Sequence, residues 1–444
     1  MIDFNRIFRY SKFRWLLVFL FLYGLGVSIA TRQVPFSMPD EGAHYLRAYE
    51  VSKLHFINSP GSIGVDMPCS EYMVAAVKYN PIAHIQQKAI AEQADTFCKV
   101  RTTNTAGTYS FVSYLPAALV LSLIEGLNWS TEDKFTAARV ANFSVWFSIL
   151  FLSLTLLNGG RILMACFMLM PSFFWQLVAL SADGATFASC LAYVFLIIRV
   201  AQRKQTFTPA MIKLFVALAV FIGSSKGVYA PITLLIFGLW HYLPGRVWVH
   251  KLLLFSLPVF AALATFLILT IASDSNLIYL GNNANPELQL AYVLQNPFLF
   301  LDLVFKAVGQ TDVIGLVAPS YAVPNPGRGF GITFVVIAVL AITMVCSDFE
   351  IDKTLRIAAG VLTIIMLVVL SLPLYLTYSP VKFDGILGLQ GRYYLPILPL
   401  LFITCAFKSS NIDWIGLLRS FQKNIECIVL LAAFALIVAV FNIK

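Results

Sequence analysis

The sequence predicts an all-α, polytopic membrane protein, and three observations carry that prediction. Of its 444 residues, 59% are hydrophobic and only 12% are charged, about half the charge of an ordinary soluble domain. Mean hydropathy is +0.80. The apolar residues gather in runs near the length of about 17–25 residues that crosses hydrocarbon, and basic residues sit in short clusters between them. The net charge of +9 is therefore an orientation signal and not a nucleic-acid footprint.

The first run, 15–30, follows Arg6, Arg9, Lys12 and Arg14. Thr31-Arg32-Gln33-Val34-Pro35 is a poor cleavage site, so an uncleaved helix with a cytoplasmic N-terminus is expected. Further crossings are expected at 139–157, 162–180, 185–201, 252–271, 329–347, 356–376, 393–407 and 427–442. A shorter pair, 211–223 and 228–242, is broken by Ser224-Ser225-Lys226-Gly227 and reads as two helices meeting near Lys226. The total is about 11 spans in one membrane domain, 1–444.

Basic clusters mark cytoplasmic loops. Arg199, Arg203, Lys204 and Lys213 make one, Arg246 and Lys251 another, and Lys353 with Arg356 a third; Lys408, Arg419 and Lys423 make the last. Counting back from 199–213, Arg161 lies inside and Asp183 outside. Segment 111–127 then fits as a re-entrant or juxtamembrane element, because a full crossing there would invert the pattern. Two external loops result, at approximately 31–138 and 272–328. The first holds helical juxtamembrane elements. The second holds an amphipathic stretch, Phe298 to Val317, with Asp302, Lys306 and Asp312, suited to the interface.

The first loop also holds Cys69 and Cys98. In an oxidising compartment they are a candidate disulfide; two free thiols are the alternative. Five other cysteines lie within or beside apolar runs.

Chemistry concentrates at Met38-Pro39-Asp40-Glu41-Gly42-Ala43-His44-Tyr45-Leu46-Arg47. A helix from Pro39 puts Asp40 and His44 one turn apart on one face, with Arg47 a turn beyond. Such a group can hold a base, a metal or a phosphate. Helix capping, with Ser37 as N-cap and the two acids at the positive end of the dipole, accounts for both carboxylates by itself but not for His44 and Arg47. Asp183, in Ser181-Ala182-Asp183-Gly184, is either an N-cap for the helix from Ala185 or a second acid on the same face. Lys226 between two half-length helices is functional by default at membrane depth, or else snorkels at a hairpin tip. Arg392, in Gln390-Gly391-Arg392-Tyr393-Tyr394, offers a fork for phosphate or anchors an interfacial belt. Asn128-Trp129-Ser130 and Asn142-Phe143-Ser144 match glycan sequons that are frequent by chance.

The motifs Pro39-Asp40-Glu41-x-Ala43-His44-x-x-Arg47-Ala48, Tyr114-x-Pro116, Ser181-x-Asp183, Lys226-x-x-Tyr229 and Gly391-Arg392-Tyr393-x-x-Pro396 occur in that order. They resemble a bacterial integral-membrane family known as domain of unknown function 2142, over about residues 15 to 407. That family is similar to the GT-C glycosyltransferases, which take a sugar from a polyprenyl-phosphate carrier at the external face. The resemblance implies a GT-C-like fold and an essential acid at Asp40 or Glu41, with a second at Asp183. The donor phosphate would then meet a cation at Arg392, with Lys226 or Arg47 as further candidates, and His44, Tyr229 and Tyr393 complete the expected substrate-binding set. Gly42 departs from the proline often found at its position in the family.

The expected reaction is inverting transfer of a sugar, glucose first, to a lipid-linked glycan such as the O-antigen of lipopolysaccharide. It would occur at the periplasmic face of a bacterial inner membrane. Asp40 is the expected base; Glu41 and His44 would orient it or bind an optional Mg or Mn ion. The rival is a polyprenyl-linked glycan or lipid transporter, in which the same charges line a midplane path. A structural partner in glycan assembly is a third reading. Membrane lipids are expected partners in every case.

Overall fold

The computed structural model describes residues 4–38, 40–60, 64–77, 97–100, 102, 105–204, 207–243, 247–273, 280–281, 283–309, 337, 340 and 349–406. Helix α1, Phe4–Arg32, contains the first apolar run and ends beside α2, Glu41–Ser52. A two-stranded antiparallel sheet follows, β1 Val65–Pro68 with β2 Phe97–Val100, in which Met67 faces Cys98. Helix α3, Cys69–Val77, begins directly after β1.

After the single-turn helices Thr105–Thr108 and Phe111–Tyr114 comes α4, Leu115–Ile124, which packs on α2 and on α5, Thr131–Leu154. Ten residues cannot span a bilayer, so segment 111–127 is a short apolar helix, as its juxtamembrane reading requires. It keeps Leu115, Leu119 and Leu123 exposed along one face.

The 162–180 run does not form one straight helix. It divides into α6, Arg161–Met168, and α7, Pro171–Val178, bent by 65°. Pro171 opens α7; it lacks an amide proton and disfavours helical geometry in the residue before it. Helix α8, Asp183–Arg203, is the axis of the described bundle, with 94% of its apolar stretch buried. Around it lie α5, α9 (Pro209–Ser225) and a tightly wound segment, Gly227–Tyr242. As expected, the pair 209–242 is broken at Lys226, whose extended backbone (φ −138°, ψ 97°) interrupts the helical path.

Helix α10, Trp248–Ala272, and helix α13, Lys353–Thr377, lie further out and are mostly unburied along their apolar stretches. Between them in sequence, α11, Pro286–Gln295, and α12, Pro297–Gly309, meet at 106° across Asn296. Asp302 and Lys306 of α12 pair with each other at 2.9 Å in an exposed i,i+4 bridge. The remainder of the Phe298–Val317 stretch, Asp312 included, lies outside the described residues. A helical turn, Gly391–Ile397, leads into α14, Leu398–Cys405.

Among the described residues five helices are long and apolar enough to cross a membrane, or seven if each bent pair is one span. The chain is thus an all-α, multi-pass membrane protein. The expected count of about 11 is not reached among the described residues: the runs at 211–223, 228–242 and 393–407 fall in the shorter apolar helices Pro209–Ser225, Gly227–Tyr242 and Gly391–Cys405, and 329–347 and 427–442 lie almost wholly outside them.

Candidate functional site

Four chain corners meet at one end of the bundle. The first is the start of α2. Asp40 occupies the N-cap position in the left-handed region (φ 64°, ψ 0°), and its carboxylate makes no capping bond. An Asp tolerates that conformation better than most residues. Its carboxylate instead accepts from Arg392 at 3.3 Å. The Ser37 hydroxyl donates to the Val34 carbonyl and is not the N-cap. Capping therefore does not account for Asp40. One turn on, the His44 amide donates to the Asp40 carbonyl at 3.0 Å.

The second corner opens α8. The Asp183 amide donates to the Ser181 hydroxyl at 3.1 Å, leaving its carboxylate to accept from Lys226 Nζ at 2.5 Å. Both partners are nearly buried, at 9% and 11% exposed. The third corner is Lys226 itself, where the break between the two helices brings an amine to the Asp183 carboxylate that receives it. The fourth is the turn before α14, which carries Arg392 and Tyr393. The Tyr229 hydroxyl holds that turn by donating to the Tyr393 carbonyl at 2.9 Å.

Aromatic rings enclose the charges. Lys226 Nζ lies 5.2 Å from the Tyr109 ring centroid and 5.8 Å from that of Tyr393. The Arg392 guanidinium is 5.5 Å from the Tyr393 ring. His44 stacks on Tyr109, centroids 6.0 Å apart and planes 13° apart, and its Nδ1 shares a 2.7 Å hydrogen bond with the Tyr114 hydroxyl. Burial lowers the His44 pKa to about 4; Asp40 and Asp183 pull it up, while Lys226 and Arg392 push it down. The imidazole is therefore neutral near pH 7. Burial also raises the Tyr109 phenol above its ordinary value.

Two expected members lie elsewhere. Glu41 is fully buried and holds Arg139 through both carboxylate oxygens, at 3.1 and 2.7 Å. The same oxygens accept the amides of Leu180 and Met38, each at 3.2 Å. A carboxylate so occupied does not fit the part of a base or a metal ligand. Arg47 is equally buried, bonded to Glu50 at 2.9 Å and to the carbonyls of His55 and Phe56. Its Nε reaches the Tyr109 carbonyl at 3.5 Å, so it braces the loop that carries Tyr109 and does not present a cation to a ligand. With Glu41 and His44 in separate environments, the residues do not fit the optional Mg or Mn site. Among the described residues no group of three His, Cys, Asp or Glu side chains is gathered as metal ligands.

Reading the sequence missed Tyr109 and Arg139. Tyr109 lies in a loop without periodicity and left no signal. Arg139 did leave one: an arginine inside the apolar run of α5, where an ionisable group needs a reason.

A half-open cavity of about 370 Å³ adjoins the cluster. Lys226, Tyr109, Tyr393, Ser224 and Ser225 form its polar end. Phe266 and Leu269 of α10 and Leu370 and Leu374 of α13 form apolar walls. The cysteines expected to pair do so: Cys69 and Cys98 form a disulfide in the loop that also supplies Tyr109.

No curated protein and no solved structure matches the chain. The model of one family, described as "Predicted membrane protein (DUF2142)", matches residues 21–401. That match covers most of the chain and takes in all four corners, and the protein belongs to this family of predicted membrane proteins.

Proposed function

We propose that the protein is an inverting, GT-C-type glycosyltransferase that moves a sugar, glucose first, from a polyprenyl-phosphate carrier to a cell-surface glycan such as lipid-linked O-antigen. One observation carries this reading: the Lys226 amine lines an apolar cavity walled by the long helices α10 and α13, and Arg392 is the chain neighbour of Tyr393 in the same lining. A lipid phosphate needs both parts, a positive pole for its head and an apolar path for its tail. The cavity volume falls within the range of about 300–1,000 Å³ usual for small-ligand sites.

In this reaction Lys226 and Arg392 neutralise the donor phosphate, and Asp183 holds the Lys226 amine in place. Asp40 accepts the proton of the acceptor hydroxyl as its oxygen bonds to the anomeric carbon. The bond from that carbon to the phosphate oxygen breaks, and polyprenyl phosphate leaves. A single displacement inverts the configuration. Tyr109, Tyr229 and Tyr393 shape the donor end, and neutral His44 adds no third positive charge. The Cys69–Cys98 disulfide supports an external, oxidising location, on the periplasmic side of a bacterial inner membrane with the N-terminus in the cytoplasm. The charges gather at one end of the described bundle, which favours transfer over transport along a midplane path.

The test supplies radiolabelled polyprenyl-phosphate glucose and a lipid-linked glycan to membranes containing the protein. Asp40→Asn should cut transfer by about 100-fold or more, the range for loss of a general base. Undiminished transfer by that variant would remove Asp40 as the base. Transbilayer movement of the labelled lipid with no transfer in the wild type would instead establish the transporter.

A further inference from the structure

We infer that the buried Glu41–Arg139 ion pair is a positioning clamp that holds the corners carrying Asp40 and Asp183 in one frame. Neither residue touches the cavity or its charges. Glu41 is joined through the chain to Asp40, and its Oε1 also accepts the Leu180 amide, three residues before Asp183. One carboxylate thus ties the start of α2 to the turn that opens α8.

Arg139 anchors that carboxylate and leaves none of its five N–H donors unused. Nε and one Nη2 hydrogen go to Glu41. Nη1 donates to the Ala30 and Gln33 carbonyls, at 3.1 and 3.0 Å, and Nη2 also reaches the Val34 carbonyl at 3.4 Å. These are the last carbonyls of α1 and the turn after it, groups that a helix end leaves unsatisfied. Along the same face of α5, the Asn142 amide donates to the Ser181 carbonyl at 3.2 Å. Trp146 Nε1 donates to Asn142 Oδ1 at 2.9 Å. A Cβ added at Gly184 would come within 3.0 Å of the Trp146 ring. Arg139, Asn142 and Trp146 therefore form a ladder on which the Asp183 corner rests, and Glu41 extends it to Asp40. A buried ion pair is a weak source of net stability compared with apolar packing, and setting register is its best-attested use.

The effect on turnover rests on the transfer proposed above; the effect on the two corners does not. The experiment is hydrogen–deuterium exchange on the full-length protein in lipid nanodiscs, comparing wild type with Glu41→Gln and Arg139→Lys. Retained Cys69–Cys98 pairing and a single size-exclusion peak would certify the fold. Arg139→Lys keeps the charge and serves if Glu41→Gln does not accumulate. Peptides covering 36–44 and 178–184 should both exchange at least about tenfold faster, with the centre of α8 unchanged. In the transfer assay kcat should fall about 10- to 100-fold, with the donor KM within about threefold of wild type. Faster exchange at one corner alone, at neither, or uniformly along the chain would overturn the clamp. A wild type without transfer activity would end the proposed reaction, and the exchange data would still decide the clamp.

Discussion

His44 is buried between two acids and two cations, so its protonation would add a third positive charge to a site already holding Lys226 and Arg392. Burial is the largest influence, and it places the folded pKa at about 4 against an ordinary 6.5. Between those values the unfolded chain binds the proton and the native protein does not. Stability therefore rises with pH through this window, and it is lost as pH falls from 6.5 toward 4. The shift corresponds to a contribution on the order of 3 kcal/mol. Thermal midpoints measured across pH 4 to 7 should drop on acidification in the wild type and much less in His44→Asn. Equal slopes in the two proteins would assign the acid sensitivity to other groups. Asp40 and Asp183 divide on similar grounds. Asp183 is closed against Lys226 at 2.5 Å and 9% exposed, whereas Asp40 is 48% exposed and 3.3 Å from Arg392. An acid that takes a proton from an incoming hydroxyl needs that access, and Asp40 has it.

Helix α2 carries Asp40 and His44, and α3 supports it from behind. A Cβ at Gly42 would lie 2.2 Å from the Ala75 carbonyl, so only glycine permits this approach of α2 to α3. The Tyr45 hydroxyl donates to Glu71 at 2.5 Å, and Lys134 of α5 reaches the same carboxylate at 2.9 Å. Burial pushes the Tyr45 phenol above its ordinary value, so it stays a donor. Cys69, the first residue of α3, is bonded to Cys98 of β2 across a separation of 29 residues. Closing a loop of that size removes about 3–4 kcal/mol of unfolded-state entropy in the chain-entropy model. Replacing both cysteines by serine should lower the thermal midpoint accordingly and make the wild type's sensitivity to reductant disappear. A midpoint unchanged by the double replacement would show that the noncovalent contacts of α3, the Tyr45–Glu71–Lys134 bonds among them, hold it without the disulfide.

Across the whole molecule, the five long apolar helices were legible because lipid demands long apolar runs, the 65° bend within 161–178 was not, and the break at Lys226 was legible because Ser-Ser-Lys-Gly interrupts a run. The meeting of Asp40, Asp183, Lys226 and Arg392 was only half legible: orientation put them on one face, but nothing local says which acid meets which base. Glu41 and Arg47 misled, because helical spacing fixes the face of a residue and not the partner its long side chain finds. In the structure the two ends of the bundle differ. Opposite the site, Arg199 donates to the Leu156 carbonyl, Gln202 bonds the backbone at Gly159, and Arg356 donates to the Thr404 carbonyl. That end holds Arg199, Arg203 and Arg356, described members of the clusters read as cytoplasmic, while the disulfide and the four corners share the other. Sidedness is thus a property of the molecule and can be tested as one. Trp129, exposed at the turn before α5, belongs to the site end, and Lys204, exposed just after α8, belongs to the opposite end. In intact cells a membrane-impermeant maleimide should label Trp129→Cys, and Lys204→Cys only after permeabilisation. The inverse pattern would put Cys69 and Cys98 in a reducing compartment, where their disulfide would not persist, and would move the proposed transfer to the cytoplasmic face. Because α5 and α8 each run from one end to the other, no local rearrangement could rescue an external site from that result.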